Sequence, residues 1–274
     1  MLPQIAIFGK FISVYGLIAI VGAFISGVVF CRMIKRRGLD DNDAIVFMLL
    51  VALGVLVGGH LLYGLLHIRL FPLLLEKAEI GVWLQRLNAV FGGSVFYGGL
   101  IGGLLTGRLA IAVMHLDYKC YSDCMAPIIP LFHGIARIGC FFAGCCYGIE
   151  SEFGFTAQNN PFIPEVNQVS RFPVQLLEAG CNFVLAIFIF IFLRGVYTSP
   201  KKAKWKGKLI CIYLICYACI RFSDEFLRGD TARGIIGIFS VSQWISIAIC
   251  VGCVISLLVP AVQKQKINKK DSTE

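Results

Sequence analysis

Long apolar stretches separated by short polar segments are the dominant pattern of this sequence. A helix needs about 20 consecutive, mostly apolar residues to cross a bilayer. Seven stretches approach or exceed this length, and they run over residues 11–30, 44–66, 92–114, 125–147, 175–193, 208–224 and 235–260. The pattern predicts an all-α fold, namely a polytopic integral membrane protein with about seven transmembrane helices.

Most segments between the apolar stretches are short. The longest are residues 67–91, 149–174 and 194–207. The proline and asparagine content of 149–174 predicts an irregular external loop or a small external cap. We expect residues 1–263 to form a single transmembrane domain. The polar and charged residues 264–274 are expected to form a disordered cytoplasmic tail.

Composition and charge indicate which classes of partner such a protein can have. Hydrophobic residues make up 58% of the 274 residues and charged residues only 15%, whereas soluble domains contain about 25% charged residues. Most lysines and arginines outside the spans lie in the first, third and fifth loops and in the tail. This bias places the C-terminus in the cytoplasm and the N-terminus outside. The net charge of +9 then reflects topology and anionic membrane lipids, so no nucleic-acid partner is expected.

One arginine lies inside a predicted span. Arg137 is flanked by apolar sequence on both sides, and a charge at the bilayer centre costs about 2.5–3.5 kcal/mol on insertion scales. In a helix its face would also carry His133, Cys140, Gly144 and Gly148. Such a face is typical of a crevice for an anion, and a structural pair with a buried carboxylate is the alternative.

Two further polar groups interrupt apolar sequence. Arg221, Glu225 and Arg228 are spaced so that a continuous helix would place them on one face. They form either an ion cluster that leaves hydrogen-bond donors free or a solvated helix end. Gln175 and Glu178 share a face near the start of another helix, and we expect Glu178 to pair with an arginine of a different span.

Arginines from separate spans that face one crevice suit a phosphate group, which a guanidinium binds through two parallel hydrogen bonds. In a bilayer the abundant phosphate is a phospholipid headgroup, so residue chemistry predicts lipid phosphate handling without specifying a reaction. Tyr15 and Tyr97 lie in apolar runs. Each is either a site residue whose hydroxyl makes a hydrogen bond or an anchor at the membrane interface. Gly98 and Gly99 indicate either close helix packing or backbone beside a ligand.

A series of short motifs lies in order along nearly the whole chain. They are VYGL (14–17), FYGGLIGG (96–103), DCMAPIIP (123–130), ARIGCFFAGCCYG (136–148), FPVQLLE (172–178), RFSDEFLR (221–228) and SQWIS (242–246). Through these motifs the chain resembles the prolipoprotein diacylglyceryl transferase family. The resemblance implies an enzyme of the bacterial plasma (inner) membrane that transfers diacylglyceryl from phosphatidylglycerol to a lipobox cysteine thiol. That cysteine lies in the signal-peptide region of a prelipoprotein, and glycerol 1-phosphate leaves.

The resemblance also implies roles for residues of this chain. It implies catalytic roles for Arg137 and Arg221 at the lipid phosphate, for the acidic residue Glu225, and for Tyr97. The residues from which we expect substrate contacts are Tyr15, Gly98, Gly99, Cys140, Cys145, Gly148, Gln175 and Glu178. Neither a metal ion nor a soluble cofactor is expected.

Three positions depart from the family pattern. Tyr97 stands where the family usually has a histidine, Cys140 replaces an asparagine, and Cys145 replaces a glutamate. We therefore expect proton transfer to be altered, because tyrosine, with a free pKa of about 10, is a poor base at neutral pH unless an arginine lowers its pKa. Cys140, Cys145 and Cys146 serve as small neutral residues, as an activated thiol near Arg137, or as a redox pair or metal site. In a helix the adjacent Cys145 and Cys146 would point to different faces, which disfavours a shared role.

The same departures leave two rival functions open. A phospholipid-binding or transport protein without catalytic activity would keep the arginines and dispense with the base. A membrane thiol oxidoreductase would use the cysteine group, and its thiols would then show redox-dependent labelling.

Overall fold

Helices dominate the computed structural model, which describes residues 3–7, 10–158, 160–230 and 234–271, without the side chains of residues 7, 10 and 259–271. Within this part the α-helices are α1 (Val14–Lys35), α2 (Asp41–Leu66), α3 (Pro72–Leu75), α4 (Ile80–Phe91), α5 (Phe96–Val113), α6 (Tyr118–Ala143), α7 (Val174–Thr198), α8 (Leu209–Asp224) and α9 (Val241–Asp271). The strands form antiparallel pairs, which are β1 (Gln4–Ile7) with β2 (Lys10–Ser13), β3 (Glu150–Thr156) with β4 (Ser170–Arg171), and β5 (Ile235–Ile236) with β6 (Phe239–Ser240).

Six of the described helices are long and apolar enough to cross a membrane, namely α1, α2, α5, α6, α7 and residues Val241–Leu258 of α9. The prediction of an all-α, polytopic membrane protein is therefore confirmed. The predicted stretch 208–224 forms α8, whose 16 residues correspond to about 24 Å of helix. Because the hydrocarbon core is about 30 Å thick, α8 is shorter than a full span and the predicted count of seven is approximate.

The chain forms two compact units. One contains residues 31–121, and the other contains the described residues on either side of that range. The prediction of a single transmembrane domain over residues 1–263 stays a prediction. Helix α9 continues to Asp271, so residues 264–271 are helical, whereas their polarity had suggested disorder. Lysine and glutamine are good helix formers, which explains the extension. Residues 272–274 lie outside the described part.

Glycines set the distance between α2 and α5 in the unit of residues 31–121. A Cβ atom added at Gly58 would meet the carbonyl oxygen of Gly98, and one added at Gly102 would meet that of Gly54. Gly99 also lies against α2. Glycines four residues apart let membrane helices pack backbone against backbone. The structure thus accounts for Gly98 and Gly99 by packing, one of the two roles that the sequence allowed.

A buried carboxylate links α6 to the start of α8 in the other unit. Asp123 is fully buried and accepts hydrogen bonds from the backbone amides of Gly207 at 2.7 Å and Leu209 at 3.1 Å. The hydroxyl of Tyr197 donates to the same carboxylate at 3.2 Å. Because the first amides of a helix have no partner within the helix, this carboxylate stabilises α8 at its beginning.

The segment after α6 forms a small cap, as the sequence allowed. Strands β3 and β4 pair there, beside an apolar cluster of Tyr147, Ala157 and Val166. The hydroxyl of Tyr147 donates to Glu165 at 3.1 Å. Burial and this hydrogen bond raise the pKa of Tyr147, so its phenol stays protonated at neutral pH. Asn160 donates to the carbonyl of Ala143 at 2.9 Å, which ties the cap to the end of α6.

We expect Gly58→Ala and Gly102→Ala each to destabilise the protein by about 1–3 kcal/mol, because the added methyl group meets backbone atoms of the opposite helix. Thermal unfolding in detergent measures the change. Gly252→Ala is the matched control, since an added Cβ there meets open space and alanine is the better helix former. Equal Tm values for the three variants would contradict this packing.

Candidate active site

Glu178 is the centre of a buried polar cluster. One of its carboxylate oxygens lies 2.9 Å from Nε of Arg137. The other lies 3.6 Å from Nε2 of His133 and accepts a hydrogen bond from the hydroxyl of Tyr217 at 3.4 Å. All four residues are buried, so Glu178 supplies the counter-charge that makes Arg137 tolerable in this apolar surrounding.

Local sequence explains why these groups meet. His133 and Arg137 lie one turn apart on α6 and therefore share a face. Pro173 precedes the first residue of α7, and Glu178 follows about one turn into that helix. The expected pairing of Glu178 with an arginine of another span is confirmed. For Arg137 the structural pair, which was the alternative to an open anion crevice, is thus present.

Arg221 forms a second buried ion pair. Its Nη2 lies 2.6 Å from a carboxylate oxygen of Glu225 and donates to Oγ of Ser242 at 3.1 Å. Its Nη1 is buried and makes no hydrogen bond to any residue that the structure describes. A buried donor without a partner costs about 1–3 kcal/mol, so an acceptor such as a phosphate oxygen would stabilise this position.

Helix α8 ends too early to hold the predicted three-residue face. It stops at Asp224, and residues Glu225–Leu227 form a 3-10 turn. Because a 3-10 turn changes the angle between successive side chains, Arg228 leaves the face and pairs with Asp230. The predicted face is therefore wrong for Arg228 and right for the first two residues.

The two ion pairs belong to one electrostatic cluster. The charge of Arg221 acts on Glu178 as well as on its own partner. Each guanidinium has a carboxylate against it, so the cluster has little excess positive charge. Its capacity to bind an anion therefore depends on individual N–H groups without an acceptor, and Nη1 of Arg221 has none among the described residues.

The chain turns sharply where α6 ends. Gly144 has a φ of +76° and Cys146 a φ of +55°, and for a residue other than glycine this left-handed conformation costs about 1–2 kcal/mol. The turn brings the Sγ atoms of Cys140, Cys145 and Cys146 within 4.8 Å of one another. The expectation that Cys145 and Cys146 point apart is wrong, because both lie beyond the end of the helix.

Hydrogen bonds from neighbouring side chains hold this cysteine turn, which comprises residues 140–146. Gln175 donates its side-chain amide to the carbonyl of Cys145 at 2.9 Å. Nη1 of Arg137 lies 3.9 Å from Sγ of Cys140, and the thiol of Cys145 lies 3.7 Å from the carbonyl oxygen of Cys140. In the structure Gln175, which we expected to contact substrate, supports the turn.

Gly148 lies in a backbone junction and not on a face of α6, which stops at Ala143. It forms an antiparallel bridge with Arg228, and an added Cβ atom would meet the carbonyl oxygens of Phe172 and Leu227. The predicted helical face is therefore wrong beyond Ala143. The close approach of three backbone segments explains the glycine.

A cavity of about 360 Å³ lies beside the cysteine turn, and its lining includes Tyr15, Ala143 and Cys145. Tyr15 packs against Gly139 of α6 and is 40% exposed. The structure thus brings together Tyr15 and Cys145, two of the predicted substrate-contacting residues, at the wall of one cavity.

Three of the predicted residues, Tyr97, Gly98 and Gly99, belong to the other compact unit, and two contacts of the site were not predicted from the sequence. Tyr97 belongs to the unit of residues 31–121, where its ring packs edge-on against Phe96. Tyr217 was not singled out, although its helical spacing from Arg221 was a usable signal. Ser242 lies on a different helix, α9, and no local pattern marks it.

Comparisons with known proteins identify relatives. The family model described as prolipoprotein diacylglyceryl transferase matches residues 4–259. The phosphatidylglycerol–prolipoprotein diacylglyceryl transferase of Clostridium tetani is 31% identical over 88% of this chain and 90% of its own. Transferase 2 of Clostridium perfringens is 31% identical over 96% of both chains. The Finegoldia magna transferase is 28% identical over 97% of both.

Glu178→Ala is expected to lower the stability of the protein by about 3–5 kcal/mol, since Arg137 would stay buried without a counter-charge. Thermal unfolding in detergent measures the loss, and the double variant Arg137→Met/Glu178→Leu should recover most of it. Asp41→Ala, which breaks an exposed pair with Lys35, is the control and should change Tm little. A Glu178→Ala protein as stable as the wild type would refute the assigned role.

Proposed function

Because this chain belongs to the prolipoprotein diacylglyceryl transferase family, we propose that it transfers diacylglyceryl from phosphatidylglycerol to the cysteine thiol of a prelipoprotein. The thiol sulfur attacks the glyceryl carbon next to the phosphate, the carbon–oxygen bond breaks, and glycerol 1-phosphate leaves. Relatives named for this activity cover most of the chain, which supports the proposal.

The observation that carries the proposal is the buried Nη1 of Arg221, which has no partner among the described residues. The phosphate gains negative charge as the carbon–oxygen bond breaks, so a preplaced donor stabilises the transition state more than the bound lipid. Glu225 and Ser242 both contact Nη2 of the same guanidinium and so fix its position. We therefore assign the phosphate contact to Arg221 and a positioning role to Glu225.

Arg137 supports the same reaction through its charge. Its Nε contacts Glu178, while its Nη1 lies near the sulfur of Cys140. A cation at this position favours ionisation of an incoming thiol, whose free pKa is about 8.5. We propose that the Nη1 group of Arg137, next to Cys140, stabilises the acceptor sulfur as a thiolate.

The lipid also needs an apolar surface for its acyl chains. A groove of about 620 Å³ follows α7, and its lining includes Leu177, Val184, Phe188 and Ile220. Leu177 directly precedes Glu178 in the sequence, so the groove and the polar cluster both involve the first turns of α7. We propose that an acyl chain lies along this groove while the headgroup reaches Arg221.

The acceptor peptide enters on the side of the cysteine turn in this proposal. The cavity lined by Tyr15 and Cys145 would receive the signal-peptide region of the prelipoprotein. Tyr97 remains a proposed catalytic residue on the strength of the family resemblance, and Tyr97→Phe tests whether its hydroxyl takes part.

We further propose that the chain lies in the bacterial plasma membrane with its N-terminus outside and its C-terminus in the cytoplasm. The basic ends of α1 and of the segment before α8 support this orientation, since lysine and arginine concentrate in cytoplasmic loops. Arg32 and Lys35 lie in the last turn of α1, and Lys202 and Lys204 in the 3-10 helix after α7.

Arg221→Lys tests the phosphate contact. Lysine keeps a charge for Glu225 but lacks the second arm of the guanidinium, so we expect kcat to fall by about 10²–10³ with a smaller change in KM. Transfer from labelled phosphatidylglycerol to a lipobox peptide measures this, with the exposed Arg194→Lys as control. An unchanged kcat in folded Arg221→Lys would contradict the assignment. Lipid binding without any thioether product, beside an active relative, would favour the phospholipid-binding alternative.

Reporter fusions test the orientation. A fluorescent protein fused after the C-terminus should fluoresce, because it folds in the cytoplasm. Alkaline phosphatase inserted into the cap loop between residues 157 and 164 should be active, because that enzyme folds outside the plasma membrane. The opposite pair of results would reverse the proposed topology.

A further inference from the structure

The cysteine turn contains a group of thiols that the transfer mechanism above does not use. The Sγ atoms of Cys140, Cys145 and Cys146 lie within 4.8 Å of one another. Among the described residues no other histidine, cysteine or carboxylate joins this group. Their convergence depends on the positive φ angles of Gly144 and Cys146, and a strained residue is maintained where its surroundings over-determine it.

The spacing of the sulfurs suits a metal ion. A cation with zinc–sulfur bonds of about 2.3 Å in tetrahedral geometry holds its sulfur ligands about 3.8 Å apart, which lies inside the observed limit. Thiolates select soft or borderline cations such as Zn²⁺ and Cu⁺ over Mg²⁺ and Ca²⁺. Three protein ligands with an open fourth position are typical of catalytic zinc, whereas structural zinc sites have four.

Neighbouring groups orient the thiols and offset their charge. Gln175 and Asn160 hold the carbonyl groups of Cys145 and Ala143, so the turn is fixed from α7 and from the cap. The guanidinium of Arg137 lies 3.9 Å from the sulfur of Cys140. Three thiolates around a divalent cation leave a net negative charge, which a hydrogen bond from this guanidinium partly offsets while its Nε contacts Glu178.

We propose that Cys140, Cys145 and Cys146 bind a thiophilic d¹⁰ cation of the Zn²⁺ class, whose fourth coordination position receives the acceptor thiol of the peptide. Cys145 lines the 360 Å³ cavity, so a peptide thiol that enters this cavity would approach the three cysteine thiols. The proposal that the three cysteines bind a metal depends on the geometry of their thiols alone. The assignment of the fourth ligand of that metal rests on the proposed transferase function.

The chemistry balances without an oxidant. On binding, the acceptor thiol releases its proton to solvent and a sulfur–metal bond forms, since a coordinated thiol is deprotonated. The sulfur then bonds to the glyceryl carbon, and the carbon–oxygen electron pair leaves with glycerol 1-phosphate. The sulfur–metal bond breaks as the thioether forms, which frees the fourth position, and the metal keeps its oxidation state throughout.

Metal analysis of the full-length protein in detergent tests the site. After incubation with Zn²⁺ and removal of free metal, mass spectrometry should find one zinc per chain, and Co²⁺ should give sulfur-to-cobalt charge-transfer absorption. Cys145→Ser should abolish both signals. Cys219→Ser, at an exposed position of α8, is the matched control and should retain them. Equal zinc content in folded wild type and Cys145→Ser, or a disulfide within residues 140–146 in place of metal, would overturn the proposal.

Transfer assays with zinc-loaded and chelator-stripped protein separate this inference from the proposed function. We expect stripped protein to be about 10²-fold slower, the size of effect that a lost proton-transfer group produces, and zinc to restore the rate. Equal rates for the two forms would leave the transferase function intact and overturn the metal's role. Stoichiometric zinc without transfer by either form would refute the transferase function and leave the metal site standing.

Discussion

The buried ion pair between Arg137 and Glu178 is the interaction on which the candidate site depends. An isolated charge in an apolar surrounding is too costly to persist, so α6 and α7 must keep the rotation that brings the two side chains to 2.9 Å. That rotation also places the sulfur of Cys140 near Arg137 and brings the side-chain amide of Gln175 to the carbonyl of Cys145. One electrostatic requirement thus aligns two helices and the loop that joins the first of them to the cap.

The two ion pairs also affect how Arg137 and Arg221 would bind a lipid headgroup in the proposed function. Neither Arg137 nor Arg221 is an unpaired cation, because Glu178 and Glu225 lie against them. A carboxylate on one side of a guanidinium fixes its plane, and the remaining N–H groups are then aimed before the ligand arrives. Such preorganisation limits the reorganisation needed when charge develops on the phosphate.

Sequence reasoning predicted those features that follow from length and regular periodicity. Apolar runs marked the membrane helices, and helical spacing placed Gln175 and Glu178 on one face and foretold an arginine partner for Glu178. It failed where the backbone leaves the helix. The left-handed Gly144 and Cys146 unite thiols that a helix would separate, and a 3-10 turn removes Arg228 from its predicted face. No periodic pattern encodes these local conformations, which depend on contacts with distant segments.

Helix α8 has a further consequence for the surrounding bilayer. Its 16 residues fall short of the hydrocarbon thickness by about 6 Å. Lipids beside a short hydrophobic element adapt by local thinning, at a cost of fractions of a kcal/mol per Å. Since Arg221 lies in the last turn of α8, thinning of the leaflet beside this helix would bring headgroups closer to the guanidinium that we propose as the phosphate contact.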